Sequence, residues 1–158
     1  MLLGICGAPQ ENFHHEIVCL EYCNEHAASR AKTLGVPVSA ELTRRELLER
    51  LAQADIVVIH WWNHPLLMEL LVTVDLPAMR MLLWSHVAGH NAPQVFSRAL
   101  IELPDLFVVA SPYSLHAPAL RGDEKHVRLV FTSAGTEHVS QIVPEEHDGF
   151  IIGYIGTV

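Results

Sequence analysis

Short runs of apolar and β-branched residues recur along the chain, and segments with helical patterning separate them. The predicted strands lie at Glu16–Leu20, Asp55–His60, Arg80–Ser85, Asp105–Ala110, His126–Phe131 and Phe150–Ile155. From the second run onward they begin about 20 to 25 residues apart, which is the room that one helix and two loops need in a βαβ unit. Two of the runs, Ile56–Ile59 and Leu106–Val109, are continuously apolar. That pattern is typical of strands covered on both faces of a parallel sheet.

Helix signals fill the intervals between these runs. Thr43 and Glu46 form a T-x-x-E capping box ahead of an apolar stripe. Glu25–Leu34 is followed by a glycine and then a proline, and Pro65–Val74 begins with a proline at its first turn. Ser111 precedes a proline, which predicts an N-cap. The alternation predicts an α/β, Rossmann-like three-layer domain with a mostly parallel sheet, whose ligands bind at the carboxyl ends of the strands.

Composition narrows the class of protein. The chain has 158 residues, of which 50% are hydrophobic and 18% charged, so we expect one folded domain rather than a disordered chain. Ten basic against eighteen acidic residues give a formal net charge of −8. This balance argues against a partner that is duplex nucleic acid. The longest apolar runs fall far short of the roughly 18 residues that a membrane span needs.

The three cysteines, Cys6, Cys19 and Cys23, contain no C-x-x-C pair. An odd number without that spacing disfavours both a disulfide framework and a four-thiolate zinc site. We therefore expect reduced thiols and a cytoplasmic location.

Polar and aromatic side chains follow three neighbouring strands of the predicted sheet. The candidate site residues are His60, Trp61, Asn63 and His64 after the second run, His86 and His90 after the third, and Ser111 and Tyr113 after the fourth. Because parallel strands end at the same edge, three such ends facing one crevice would form a site.

Two histidine pairs, His60/His64 and His86/His90, have the H-x-x-x-H spacing of helical metal ligands. Both stand at strand-to-loop junctions, neither has the glutamate of H-E-x-x-H, and no cysteine or carboxylate stands beside them. We therefore predict no metal at this site. The sequence also lacks a Walker A motif, a G-x-G-x-x-G fingerprint and a G-x-S-x-G elbow.

Four segments in this order resemble the N-terminal half of a GT-B glycosyltransferase. They are D-I-V-V-I-H-W-W (Asp55–Trp62), L-L-W-S-H-V-A-G-H (Leu82–His90), V-V-A-S-P-Y-S (Val108–Ser114) and F-I-I-G-Y-I-G-T-V (Phe150–Val158). The most similar group is the large retaining family with the group 1, family 4 architecture. The order and spacing of the segments carry the resemblance, which covers about Glu16 to Val158.

The resemblance implies a cleft enzyme that transfers a sugar from a nucleotide-sugar donor to an acceptor. His86 matches the family histidine that follows a strand of the N-terminal domain and reaches the donor sugar, so we expect it to be catalytic. Ser111 matches the residue that begins the helix after the next strand. His60, Trp61, Asn63 and Tyr113 are expected to line the acceptor side, with His64 and His90 beside them. No cofactor is implied beyond the donor as co-substrate.

The resemblance also implies that the chain contains parts of two domains. Residues 1–148 correspond to the acceptor-side domain, and residues 149–158 to a linker and the first strand of a donor-binding domain that is otherwise absent. The family opens with a strand and a full helix before its second strand, but only Met1–His15 is available here. Either Met1–Cys6 is that first strand, or the natural chain begins earlier; we expect truncation at both ends and no activity from this chain alone.

Two other readings stay open at this stage. The first is a stand-alone binding or interaction module on a Rossmann-like scaffold, and the second is a histidine-rich metal-binding protein. Half of a cleft enzyme leaves an apolar face uncovered, which allows a homodimer of the fragment. Association with a membrane surface is also compatible with the family, because many members act on lipid-linked acceptors.

Overall fold

The structure is a computed structural model, and it describes residues 2–8, 11–122, 125–131, 142–143 and 145–150. The described residues form six strands: β1 Ile17–Cys19, β2 Val38–Ala40, β3 Ile56–His60, β4 Arg80–Ser85, β5 Leu106–Val109 and β6 Val127–Leu129. The α-helices are α1 Leu2–Cys6, α2 Glu25–Thr33, α3 Arg44–Gln53, α4 Pro65–Thr73 and α5 Arg98–Glu102. Two 3₁₀ helices, Pro112–His116 and Pro118–Leu120, lie between β5 and β6. Within the described residues, no helix is long and apolar enough to cross a membrane.

The four strand pairs β1–β2, β3–β4, β4–β5 and β5–β6 are parallel, so the predicted α/β, Rossmann-like class is confirmed. Strands β3, β4, β5 and β6 form one sheet in chain order, and β1 and β2 form a second, two-stranded sheet. In the larger sheet His60 lies opposite Trp84, and Ser85 lies opposite Val109. The carboxyl ends of β3, β4 and β5 therefore meet at one edge, where ligands bind in open α/β sheets.

Local sequence signals explain where the helices begin. The Thr43 hydroxyl accepts a hydrogen bond from the Glu46 amide at 3.3 Å, and the Glu46 carboxylate accepts one from the Thr43 amide at 2.9 Å. This is the predicted capping box, and it begins α3. The side-chain amide oxygen of Asn24 caps α2 by accepting hydrogen bonds from the backbone amides of His26 and Ala27. Pro65 occupies the first turn of α4, as predicted.

The core lies on one face of the larger sheet. It combines residues of the strands, of α5, of the second 3₁₀ helix and of the loops beside them: Ile59, Trp62, Met81, Leu83, Phe96, Leu100, Ile101, Phe107, Val109, Ala117, Leu120 and Val127. Half-buried side chains of α4 pack against this cluster. The first third of the chain has few buried apolar residues by comparison: Ala31, Val36 and Leu47.

Several predicted elements differ from those observed. Met1–Cys6 is not a first strand, because Leu2–Cys6 is helical. The helix predicted after Ser111 is a 3₁₀ helix that ends at His116, since Pro118 prevents its continuation. On β3, Ile56 and Val58 are about half exposed, so this edge strand is covered on one face rather than on both. The predicted strand Phe150–Ile155 lies outside the described residues from Ile151 onward.

Candidate functional site

Two imidazoles meet at the carboxyl edge of the larger sheet. His60 ends β3 and His86 directly follows β4, and the distance from His60 Nδ1 to His86 Nε2 is 2.8 Å. The two rings are nearly parallel, with 12° between their planes. A hydrogen bond between neutral imidazoles needs one N–H donor and one bare nitrogen, so the tautomers of the two rings depend on each other.

Two indoles flank this pair. The Trp84 ring lies on β4 with its centroid 5.8 Å from that of His60 and 6.1 Å from that of His86. Trp61 lies 5.0 Å from His86 on the outer side and is 57% exposed. The four rings form one aromatic cluster, defined here as the strand-end cluster: His60, Trp61, Trp84 and His86.

The backbone of Trp61 is in the left-handed region, with φ of 57°. A bulky residue seldom adopts this conformation, because its Cβ then crowds the following carbonyl. This left-handed backbone conformation points the side chains of Trp61 and Trp62 to different surroundings. Trp61 projects from the edge, whereas Trp62 is 6% exposed and directs its Nε1–H toward the hydroxyl of Ser85 at 3.4 Å. Strained residues of this kind concentrate at functional sites.

Burial lowers the pKa of both histidines of the cluster. The pKa of His60 falls to about 4, first because burial disfavours the imidazolium and second because a charge on His86 would repel it. The pKa of His86 is also below its ordinary value, and burial is again the main cause. Both rings are therefore neutral at pH 7.

A second contact joins the loop after β4 to the first 3₁₀ helix. His90 Nε2 donates to the carbonyl oxygen of Tyr113 at 2.9 Å, and the two rings stack with centroids 4.2 Å apart. The Ser111 hydroxyl accepts from the Tyr113 amide at 3.2 Å, so it acts as the predicted N-cap. Tyr113 itself is 58% exposed at the same edge of the sheet as Trp61.

The loop that carries His86 and His90 is held in the core by Phe96. Its ring contacts Trp62 and meets Phe107 edge to face, with 5.1 Å between centroids. Gly89 lies against this ring with φ of +78°, and a Cβ there would stand 2.3 Å from it. Sequence reasoning missed both Phe96 and Trp84, although strand alternation places Trp84 on the same face as its register partner His60.

The remaining predicted residues lie around the cluster without entering it. His64 precedes α4, and its Nε2 is 3.9 Å from the carboxylate of Glu21, the second residue after β1. Asn63 is half-buried, and its buried Oδ1 is a hydrogen-bond acceptor without a partner. The buried Nε1–H of Trp84 is likewise a hydrogen-bond donor without a partner. Such atoms mark places where a ligand group or an ordered water completes the hydrogen bonding.

The H-x-x-x-H spacing does not bring either pair together as helical ligands. His60 contacts His86, His64 lies beside Glu21, and His90 lies beside Tyr113. Within the part of the chain that the structure describes, no three histidine, cysteine or carboxylate side chains form a group that could hold a metal ion.

Comparison with known proteins yields no match to any family model, to any curated protein or to any solved structure.

Proposed function

We propose that this chain is the acceptor-side half of a GT-B glycosyltransferase that moves a sugar from a nucleotide-sugar donor to an acceptor. The observation that carries the proposal is the placement of His86. Its ring follows β4 at the carboxyl edge of a parallel sheet, held by His60 and covered by Trp61. This is the strand end at which the resemblance expects a histidine that reaches the donor sugar.

The geometry supports a role in binding and orienting hydroxyl groups. At pH 7 a neutral His86 can donate or accept one hydrogen bond toward a sugar hydroxyl. Trp61, which contacts the His86 ring and is exposed, offers an apolar aromatic surface beside it, and Tyr113 is exposed at the same edge of the sheet. Stabilisation of the departing diphosphate needs positive charge or amide donors, which this half leaves to a donor-binding domain.

The test uses the complete product of the reading frame that encodes this chain, compared with residues 1–158 alone. Release of free nucleoside diphosphate from UDP-sugars and GDP-sugars measures turnover. We expect turnover from the complete product and none from residues 1–158. His86→Ala should lower turnover by about 100-fold, the usual loss when a positioned hydrogen-bonding group at a reaction centre is removed.

The control variant is His14→Ala. His14 is exposed and precedes β1, on the amino side of that strand. Its loss should leave turnover unchanged. Near-normal turnover in the His86→Ala protein would contradict the assignment of His86.

A stand-alone binding module is the second candidate, and the outward-facing Trp61 with its strained backbone is the observation that favours it. A module should bind its ligand without a second domain. Tryptophan fluorescence of residues 1–158, titrated with nucleotide-sugars and with free hexoses, separates the two candidates. Saturable binding by wild type that is lost in Trp61→Ala, together with an inactive complete product, would replace the transferase proposal.

A further inference from the structure

The His60–His86 contact constrains where hydrogen can reside. The hydrogen bond joins His60 Nδ1 to His86 Nε2 and leaves one free nitrogen on each ring, His60 Nε2 and His86 Nδ1. Neither free nitrogen has a hydrogen-bond partner among the described residues, and neither is one of the fully buried atoms that lack a partner, so both are reached by solvent. The described residues form no ion pair with either ring.

Only two neutral arrangements satisfy this contact. If the bridging hydrogen is on His60 Nδ1, then His86 Nε2 is bare and His86 carries its hydrogen on Nδ1. If the bridging hydrogen is on His86 Nε2, then His60 Nδ1 is bare and His60 carries its hydrogen on Nε2. In both arrangements the two rings have the same tautomer. The tautomer of His60 therefore decides whether His86 Nδ1 is a hydrogen-bond donor or a hydrogen-bond acceptor.

Packing contacts also fix the positions of the His60 and His86 rings. Trp84 contacts both of them from within the sheet, and Trp61 covers His86 from outside. Two doubly protonated rings would place two N–H groups against each other across 2.8 Å. A positive charge on one ring therefore opposes protonation of the other, so the two rings behave as a coupled pair.

We propose that His60 is a positioning residue for His86, and that the two rings act as one proton-relay unit with an open nitrogen at each end. As a proton from solvent enters at His60 Nε2, the bridging proton moves from His60 Nδ1 to His86 Nε2, and His86 Nδ1 gives its proton to a ligand atom. One proton enters the pair and one leaves it, so both rings are neutral before and after the transfer. The use of this relay in sugar transfer rests on the proposed function, but the relay itself does not.

The first test needs no catalysis. Long-range ¹H–¹⁵N correlation spectra of residues 1–158 at pH 7 report the tautomer of each imidazole, and spectra of His60→Asn and His86→Asn assign the two rings. We expect the Nδ1–H fraction of His60 to equal that of His86. Unequal fractions, or one ring in each pure tautomer, would overturn the proposal.

The second test separates positioning from simple packing. His60→Phe keeps a ring but removes both nitrogens, whereas His60→Asn places an amide group near the position of Nδ1. We expect the ¹⁵N shifts of His86 to move toward those of exposed His14 in His60→Phe and to stay close to wild type in His60→Asn. Equal spectra in both variants would overturn the role of His60. If His60→Phe does not fold, the tautomer comparison in the wild-type chain still decides the question.

The third test concerns turnover of the complete product. His60→Phe should lower kcat about tenfold and leave KM nearly unchanged. His60→Asn should keep most of the wild-type kcat, because its amide can still orient His86 as a positioning group does. Equal kcat in wild type and His60→Phe contradicts the catalytic use of the relay. Absence of turnover in the wild type counts against the proposed function alone, because the spectroscopic tests stand independently of it.

Discussion

At the residue scale, the neutral state of His60 links stability to pH. The folded protein holds the pKa of His60 at about 4, whereas an unfolded chain binds that proton near pH 6.5. Between these values the unfolded state carries more protons, so stability rises with pH through this window and is lost as pH falls from 6.5 to 4. Below about pH 4 this residue causes no further loss.

We therefore predict that the free energy of unfolding depends more strongly on pH in wild type than in His60→Phe. Urea unfolding at pH 7 and at pH 4.5 should show that wild type loses more stability than the variant. The excess should be on the order of 2 kcal/mol, below the full value of the pKa difference because part of the ring stays in solvent. An equal loss in both proteins would show that His60 binds its proton as easily in the folded state as in the unfolded one.

The backbone of Trp61 gives a second prediction at this scale. An alanine usually stabilises a protein more than a glycine, but φ of 57° favours glycine. Trp61→Gly should therefore be more stable than Trp61→Ala by about 1 kcal/mol in urea unfolding. The same pair of changes at Glu49, an exposed residue within α3, should show the usual order.

The sequence predicted that His60 and His86 stand at one edge of the sheet, but it did not predict that their rings form a hydrogen bond. Parallel strands of known spacing place His60 and His86 at one edge, because register follows from the sheet. The directions of Trp61 and Trp62 could not be predicted, since no sequence signal marks the left-handed backbone at Trp61. The same backbone conformation explains why Trp61 and Trp62, identical in type, are exposed and buried respectively.

At the element scale, the loop between β4 and α5 depends on Gly89. A Cβ at Gly89 would collide with the Phe96 ring, and φ of +78° would strain any other residue. Gly89→Ala should cost about 3 kcal/mol, combining the backbone penalty with overpacking. Gly35→Ala is the matched control, because its φ is +72° but nothing lies within 4 Å of its Cβ position. It should cost only about 1 kcal/mol.

Thermal unfolding of the two variants checks this comparison. A similar loss in both would mean that the loop moves away from Phe96 at little cost, and that His86 and His90 are held by other contacts. A much larger loss in Gly89→Ala would show that the loop is fixed by its packing beneath the site.

Elements with a strong local signal were predicted well, and short elements were not. The capping box of α3 and the proline of α4 are side-chain features of one turn, so they are visible in sequence. Strand β2 has three residues and α5 has five, and both form because neighbouring elements pair with them or bury them. Tertiary contacts of that kind leave little periodicity in so short a segment.

At the scale of the whole molecule, burial is uneven along the chain. The cluster that packs around Phe107 draws its members from residues 59–127. Among the described residues before β3, the buried apolar side chains are Ala31 of α2, Val36 of the loop after it and Leu47 of α3. The strand-end cluster and its supporting loop belong to the better packed part. The site is therefore built on the rigid portion of the fold, as a preorganised site requires.

Among the described strands, β1 and β2 pair only with each other and not with the larger sheet, which has a consequence for local unfolding. Regions with few buried contacts open at lower free energy than the global transition, in cooperative units that can be read by hydrogen exchange. The segment from β1 to α3 should behave as one such unit and open first, while β4 and β5 retain protection up to global unfolding. Native-state amide exchange in rising urea would show two sets of opening energies, with Val18 and Leu47 in the lower set and Leu83 and Val108 in the upper. A ligand seated on the His60–His86 edge would then leave the exchange of the first unit almost unchanged.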